Sequence, residues 1–212
     1  MVKVISFDVV GTLINFCYED YVWNEAIPHL YARKKGINLE DAKNYVLKEY
    51  DHIGNNDIKW YLPKYWFKHF NLDENPIDVF RVNIDKVEFY PEVPSVLKTL
   101  SQKYSLIIVS GTTRNIIELM VEKFRDYFTH IFSPVSDRQE VKKTAQLYEM
   151  ICKTLEIEPC TMVHVGDDWY SDFIYPRRIG VKSFYLDRAE EKSGEFVIKN
   201  LRELEDRLVI YR

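Results

Sequence analysis

The 212-residue sequence is poor in the features that mark several protein classes. Its three cysteines, Cys17, Cys152 and Cys160, are scattered, odd in number and without Cys-x-x-Cys spacing. That excludes a disulfide scaffold and a cysteine-ligated zinc site, and the three read as small buried apolar residues. Only 7 glycines and 8 prolines occur, with no low-complexity linker and no internal repeat. Basic residues are not in excess: 29 Lys and Arg stand against 33 Asp and Glu, a formal net charge of -4. Neither nucleic acid nor an anionic membrane is therefore expected as a partner, since both need clustered positive charge. Apolar runs such as residues 105–111 fall far short of the roughly 18 residues needed to cross a bilayer. The first residues, interrupted by Lys3 and Asp8, lack the pattern of a secretory leader, so the expectation is a cytoplasmic chain starting at Met1. What remains is a composition 46% hydrophobic and 29% charged, that of a globular protein with one elaborated domain or two small ones.

Short apolar, β-branched runs recur along the chain, at residues 2–7, 106–109, 162–165 and 181–186, with a weaker one at 130–132. Each has the length of a buried strand. Between them lie apolar residues at helical spacing: Val96, Leu97 and Leu100; Ile116, Ile117, Met120 and Phe124; Ala145, Tyr148, Cys152 and Leu155. Leu201, Leu204 and Leu208 predict a terminal helix over 200–208. Strands alternating with helices imply an α/β fold, a doubly wound parallel sheet with a Rossmann-like core. Residues 16–88 break the rhythm, holding three of the four tryptophans and no strand run. They are read as an inserted α-helical cap, giving a catalytic core of 1–15 and 89–212 and a cap of 16–88. The insertion leaves the chain just after the first strand, where sheets of this kind bind ligands, and so is placed as a lid.

The reactive side chains gather where the strands stop. Asp8, Val9, Val10, Gly11 and Thr12 follow the first run; Ser110, Gly111 and Thr112 follow the second; Lys142 comes later, and then Gly166, Asp167, Asp168, Trp169, Tyr170, Ser171 and Asp172. A nucleophilic acid, hydroxyls, an amine and further acids would converge on one cleft.

In this order the four segments resemble the motifs of the haloacid dehalogenase superfamily of hydrolases, over nearly the whole chain. The resemblance implies Asp8 as nucleophile with Thr12 bonding nearby, Ser110 as the hydroxyl of the second motif, Lys142 as the third-motif lysine, and Asp167 and Asp172 as the acidic fourth motif. Lys142 is preferred to Lys143 because it precedes Asp167 by 25 positions. A carboxylate attacking a phosphoryl group faces a repulsion on the order of 8 kcal/mol at about 4 Å and an effective dielectric near 20. A Mg²⁺ held by Asp8, Asp167 and the backbone carbonyl of Val10, with Asp172 behind them, would offset it. Lys142, Ser110, Gly111 and Thr112 would bind the phosphoryl oxygens. The expected reaction is hydrolysis of a small phosphorylated molecule through an aspartyl-phosphate.

One position departs from the pattern. The family's phosphatases carry a second aspartate two residues after the nucleophile, to protonate the leaving group; here that residue is Val10. Loss of a general acid costs about 10²- to 10⁴-fold in rate. Three readings follow, in this order: a Mg²⁺-dependent phosphohydrolase with another proton source, a 2-haloacid dehalogenase, or a regulatory or binding protein with little turnover. Dehalogenases of the family also lack the second acid, but they clamp the substrate carboxylate with a cap arginine. Arg33 and Arg81 are the only arginines before Ser110, and the retained Asp167 and Asp172 would repel a haloacid.

Simpler structural roles are weighed beside these. Asp8 and Thr12 could be turn residues, and Ser110 and Thr112 could cap a helix beginning near Asn115. Asp168 could extend the metal shell or sit on a surface loop, and Asp172 could be a helix N-terminal charge. His164 reads as a satisfied core histidine, and His29, His52, His69 and His130 have no metal-ligand spacing. Trp23, Trp60, Tyr61, Tyr65 and Trp66 read as the cap's own core; Trp169, beside the acids in sequence, is the aromatic to test first as a wall of the site. Residues 187–195 read as solvated surface. No pattern in the chain speaks to oligomeric state or to the identity of the substrate.

Overall fold

The computed structural model describes residues 1–209. The chain begins with β1 (Val4–Phe7) and enters a helical segment comprising α1 (Cys17–Tyr21), α2 (Ile27–Lys35), α3 (Leu39–Ile53), α4 (Pro63–His69) and α5 (Pro76–Val82). It returns as α6 (Val93–Ser101), β2 (Ser105–Val109), α7 (Arg114–Val121), β3 (Phe128–Phe132), α8 (Pro134–Arg138) and α9 (Ala145–Thr154). It finishes with β4 (Met162–Gly166), α10 (Tyr175–Arg177), β5 (Lys182–Leu186), β6 (Val197–Ile198) and α11 (Arg202–Val209).

The strands form one parallel sheet in the order β3-β2-β1-β4-β5-β6. Alternate side chains of each strand point to opposite faces. Ile5, Phe7, Ile108, Val163 and Val165 pack in the larger core with α6, α7 and α11. Val4, Ile107, Val109 and Met162 pack on the other face, under Leu147, Tyr148 and Ile151 of α9. The strand order reverses at β1, so the crevice between β1 and β4 is the sheet's topological switch point, the place where ligands bind in such folds.

The helical cap is attached by two adjacent chain segments. Asn15 N donates to Glu88 O, Tyr90 N to Leu13 O, and Asn15 Nδ2 to Glu88 Oε2 at 2.8 Å. Its core is aromatic: Tyr50 meets Trp66 edge-on at 4.7 Å between ring centres, and Trp66 stacks on Phe70 at 5.5 Å. Between α1 and α2 the helix widens into a π turn, Val22–Ala26, and a second π turn, Trp169–Ile174, follows β4. Such turns re-aim side chains and concentrate at functional sites; Trp23, Asn24, Ser171 and Asp172 from these two all face one cavity.

Three expectations are corrected. Cys17 and Cys160 are exposed and only Cys152 is buried, because the first lies at the start of α1 and the second in the turn before β4. Residues 187–195 are not all surface: Asp187 is buried and accepts from Lys192 N, while Arg188 turns inward to the β1 loop. Trp169 packs on Phe173 and Tyr185 and is not among the residues lining the cavity.

Candidate active site

The ends of β1, β2 and β4, the segment 141–143 before α9 and the cap border a cavity of about 680 Å³. Asp8, at the tip of β1, is 7% exposed and opens into it. The turn that follows is held by Gly11, whose φ of +81° an L-residue rarely adopts, and a Cβ there would come within 2.2 Å of Asp167 Oδ2. Gly166 ends β4 for the same reason, since a Cβ would stand 2.3 Å from the Asp172 carboxyl carbon. Both glycines are what lets the acids approach. One oxygen each of Asp8, Asp167 and Asp172 lie within 4.8 Å of one another. Thr12 Oγ1 donates to Asp167 Oδ1 at 3.4 Å.

The ammonium of Lys143 is the cation of this cluster, 2.8 Å from Asp8 Oδ1 and 2.5 Å from Asp172 Oδ1. The preference for Lys142 is thereby corrected: Lys142 is exposed at the cavity rim and its neighbour turns inward. Both lysines line the cavity, but only Lys143 is buried and within ion-pair distance of the acids. Burial alone would disfavour the charge on Lys143, but Asp172 and Asp8 outweigh it and raise its pKa. Asp172, buried as well, is held down at about 2 by Lys143 and by the His164 ring. His164 accepts or donates at both nitrogens, to Ser6 Oγ and Asp172 Oδ1, and burial lowers its pKa. It is the satisfied core histidine expected.

Burial, then the charges of Asp8 and Asp172, push Asp167 up to about 7. Asp8 is raised too, by burial foremost, with Lys143 opposing. Fully ionised, three carboxylates against one ammonium would leave two negative charges uncompensated, and the raised pKa values of Asp167 and Asp8 express that excess. An oxygen-only donor set short of two positive charges fits a hard divalent cation such as Mg²⁺. Ser110 is buried beside Asp8 as a hydrogen-bond partner, and Gly111 and Thr112 line the cavity ahead of α7. Asp168 lines the cavity too, but its Oδ1 caps the following turn, accepting from Tyr170 N and Ser171 N.

The model of the haloacid dehalogenase-like hydrolase family matches residues 2–178. This chain belongs to that family. It is therefore a hydrolase. It is 25% identical over 223 residues to a glyceraldehyde 3-phosphate phosphatase of Pyrococcus furiosus, covering 96% of this chain and 91% of that one. A phosphatase of the same superfamily from Thermococcus onnurineus superposes with a TM-score of 0.82 at 24% identity, over 98% of both chains. A 2-haloacid dehalogenase from Pseudomonas syringae shares the fold with a TM-score of 0.72 at 17% identity over the full length of both.

Within this haloacid dehalogenase-like chain, two residues of the site escaped sequence reasoning. Arg188, just past β5, donates to Gly11 O at 3.2 Å and Thr12 O at 2.8 Å, pairs with Glu92 at 2.8 Å, and lies 3.4 Å above the Tyr90 ring. Its place in a charge-rich stretch hid it. Glu19 of α1 lines the cavity, a helical acid with no sequence mark to separate it from Asp20. The cap also contributes Phe16, Trp23, Trp60 and Tyr61 to the walls. Trp66 serves both purposes, being fully buried in the cap core and reaching the cavity.

Proposed function

We propose that this protein is a Mg²⁺-dependent phosphohydrolase acting on a small phosphorylated organic molecule, with Asp8 as nucleophile. The observation that carries this reading is the cluster of Asp8, Asp167 and Asp172 around Lys143, two positive charges short of neutrality. Asp8, Asp167 and the Val10 carbonyl would hold the ion, with Asp172 behind them. When bound, it would neutralise the charge of the attacked phosphoryl group. Lys143 fixes the orientation of the Asp8 carboxylate and shields it from the approaching anion. Ser110, Gly111 and Thr112 offer a hydroxyl and main-chain donors to the phosphoryl oxygens. Asp8 attacks phosphorus to give an aspartyl-phosphate, and water then releases phosphate. The aromatic walls suit a leaving group with an apolar face. Similarity to a glyceraldehyde 3-phosphate phosphatase supports a phosphate monoester as substrate.

The dehalogenase reading is weakened by the cap arginines. Arg33 pairs with Glu74 and Arg81 with Asp78, both on exposed surface, and no arginine among the described residues lines the cavity. Hydrolysis of 4-nitrophenyl phosphate with and without Mg²⁺, beside halide release from 2-chloropropionate, tests the proposal. Metal-dependent phosphate release abolished by Asp8→Asn supports it. Metal-independent halide release would replace it with the dehalogenase reading, and inactivity on both with the binding-protein reading.

A further inference from the structure

The residue two positions past Asp8 is Val10, a hydrocarbon, so the departing alcohol must find its proton elsewhere on the cavity wall. Most protic groups there are committed. His164 lies behind the wall, fully buried, with both nitrogens engaged by Ser6 and Asp172. Asp172 is held by Lys143 and His164, and Asp168 caps the turn after β4. The Tyr61 hydroxyl donates to Asn55 O, and that of Tyr50 to Trp23 O. Asp20 and Lys142 are exposed.

Glu19 is different. It is partly buried on α1, faces the cavity into which Asp8 opens, and its carboxyl group is acted on by charge and burial without a side-chain hydrogen bond to any described residue. The geometry points to Glu19 as the general acid of this enzyme, delivering from the cap the proton that position 10 cannot supply. This rests on the phosphohydrolase reading above. The groups around it suit the role. Burial first, then the carboxylates of Asp8 at the end of β1 and Asp20 on its own helix, push Glu19 up to about 7. Tyr61 feels its charge from the turn at 58–61, and Lys142 and Lys143 face the same space from the segment before α9. A carboxyl group that still carries its proton near neutrality is what protonating an alkoxide requires.

The step balances. An Asp8 oxygen bonds to phosphorus as the ester P–O bond breaks; its electron pair stays on the departing oxygen, which takes the Glu19 proton and leaves as the alcohol. Glu19, now a carboxylate, accepts a proton from the water that attacks the aspartyl-phosphate. Phosphate departs, and Asp8 and Glu19 return to their starting states.

The test compares two esters in the same enzyme preparation with Mg²⁺: 2-phenylethyl phosphate, whose alkoxide needs a proton, and 4-nitrophenyl phosphate, whose phenolate needs little help. Their ratio of kcat/KM does not depend on the fraction of protein folded. Glu19→Gln keeps the shape but removes the proton, and the alkyl-to-aryl ratio is expected to fall about 10²-fold or more. Glu19→Asp should retain part of the ratio, and adding Val10→Asp to Glu19→Gln should recover it. An unchanged ratio in Glu19→Gln, or the same fall in Asp20→Asn, overturns the assignment. Wild-type protein that releases phosphate from neither ester removes the phosphohydrolase reading, and the assignment with it.

Discussion

The ammonium of Lys143 stands 2.8 Å from Oδ1 of Asp8, a contact between residues 135 positions apart in the chain. The same ammonium reaches Asp172. Replacing Lys143 by Met strands both carboxylates in a buried site, which costs about 3–5 kcal/mol in comparable pairs. Lys143→Met is therefore expected to lower the melting temperature and to lose phosphate release by about 10²-fold or more. Lys142→Met, at the exposed rim, should lose far less. Steady-state kinetics and thermal melting of the two variants side by side check this, and the reverse order would return the role to Lys142.

The approach of the acids depends on Gly11. Gly11→Ala puts a methyl group where Asp167 Oδ2 lies and forces an L-residue to a φ of +81°. The backbone strain alone costs about 1–2 kcal/mol. The displaced carboxylate should also weaken Mg²⁺ binding by about 10-fold or more, as ligand-set disturbances do. Calorimetric titration of the metal-free protein with Mg²⁺ measures it; unchanged affinity would show that Asp167 is not a ligand.

Arg188 ties the Gly11 and Thr12 carbonyls to Glu92 while lying over Tyr90. A lysine cannot reproduce a planar fork that bonds and stacks at once. Arg188→Lys should lower kcat by about 10-fold or more by loosening the turn that aims Asp8. Arg188→Ala should in addition destabilise the fold, since it leaves the buried Glu92 carboxylate without its charged partner. A wild-type kcat in Arg188→Lys would separate the clamp from catalysis.

The pH response of the metal-free protein follows from Asp167 and Glu19, both raised to about 7. A carboxyl group whose pKa is raised on folding binds more protons folded than unfolded between about pH 4 and 7, so stability falls as pH rises through that window. Asp172, lowered to about 2, acts the other way and only at lower pH, where its contribution is lost on acidification. His164, whose pKa burial lowers, acts the other way below its ordinary value of about 6.5, so the melting temperature without metal should decline most clearly between about pH 6.5 and 8. Mg²⁺ should reverse the decline, with an affinity that climbs as the proton leaves Asp167. Melting curves across this range with and without Mg²⁺ would contradict the cluster as a metal site if the two sets ran parallel.

The buried strands were legible because each is a run of β-branched or large apolar residues that stops at an acid, a serine or a glycine. β1 and β2 begin and end within two residues of the runs that mark them. Val197–Ile198 was not legible, because two residues carry no periodicity. β3 also begins two residues before its run, at Phe128: Phe128 and Thr129 both favour strands, but they follow directly on the helical turn Glu122–Tyr127 with no break in the sequence to mark the change.

What the order of amino acids determines here is local: strands that end in Asp8, Ser110 and Gly166, a helix-rich insertion after the first of them, and a valine where a proton donor is usual. These follow from side-chain shape, turn chemistry and spacing along a few residues. Only the tertiary structure decided which of two adjacent lysines enters the cluster, that Arg188 clamps a turn 176 positions away, and that of two acids on the cavity wall Glu19 is part-buried and Asp20 exposed. Each of those outcomes is set by how the sheet twists and the cap settles on it. A direction in space between segments far apart in the chain has no counterpart in the spacing of letters within either one.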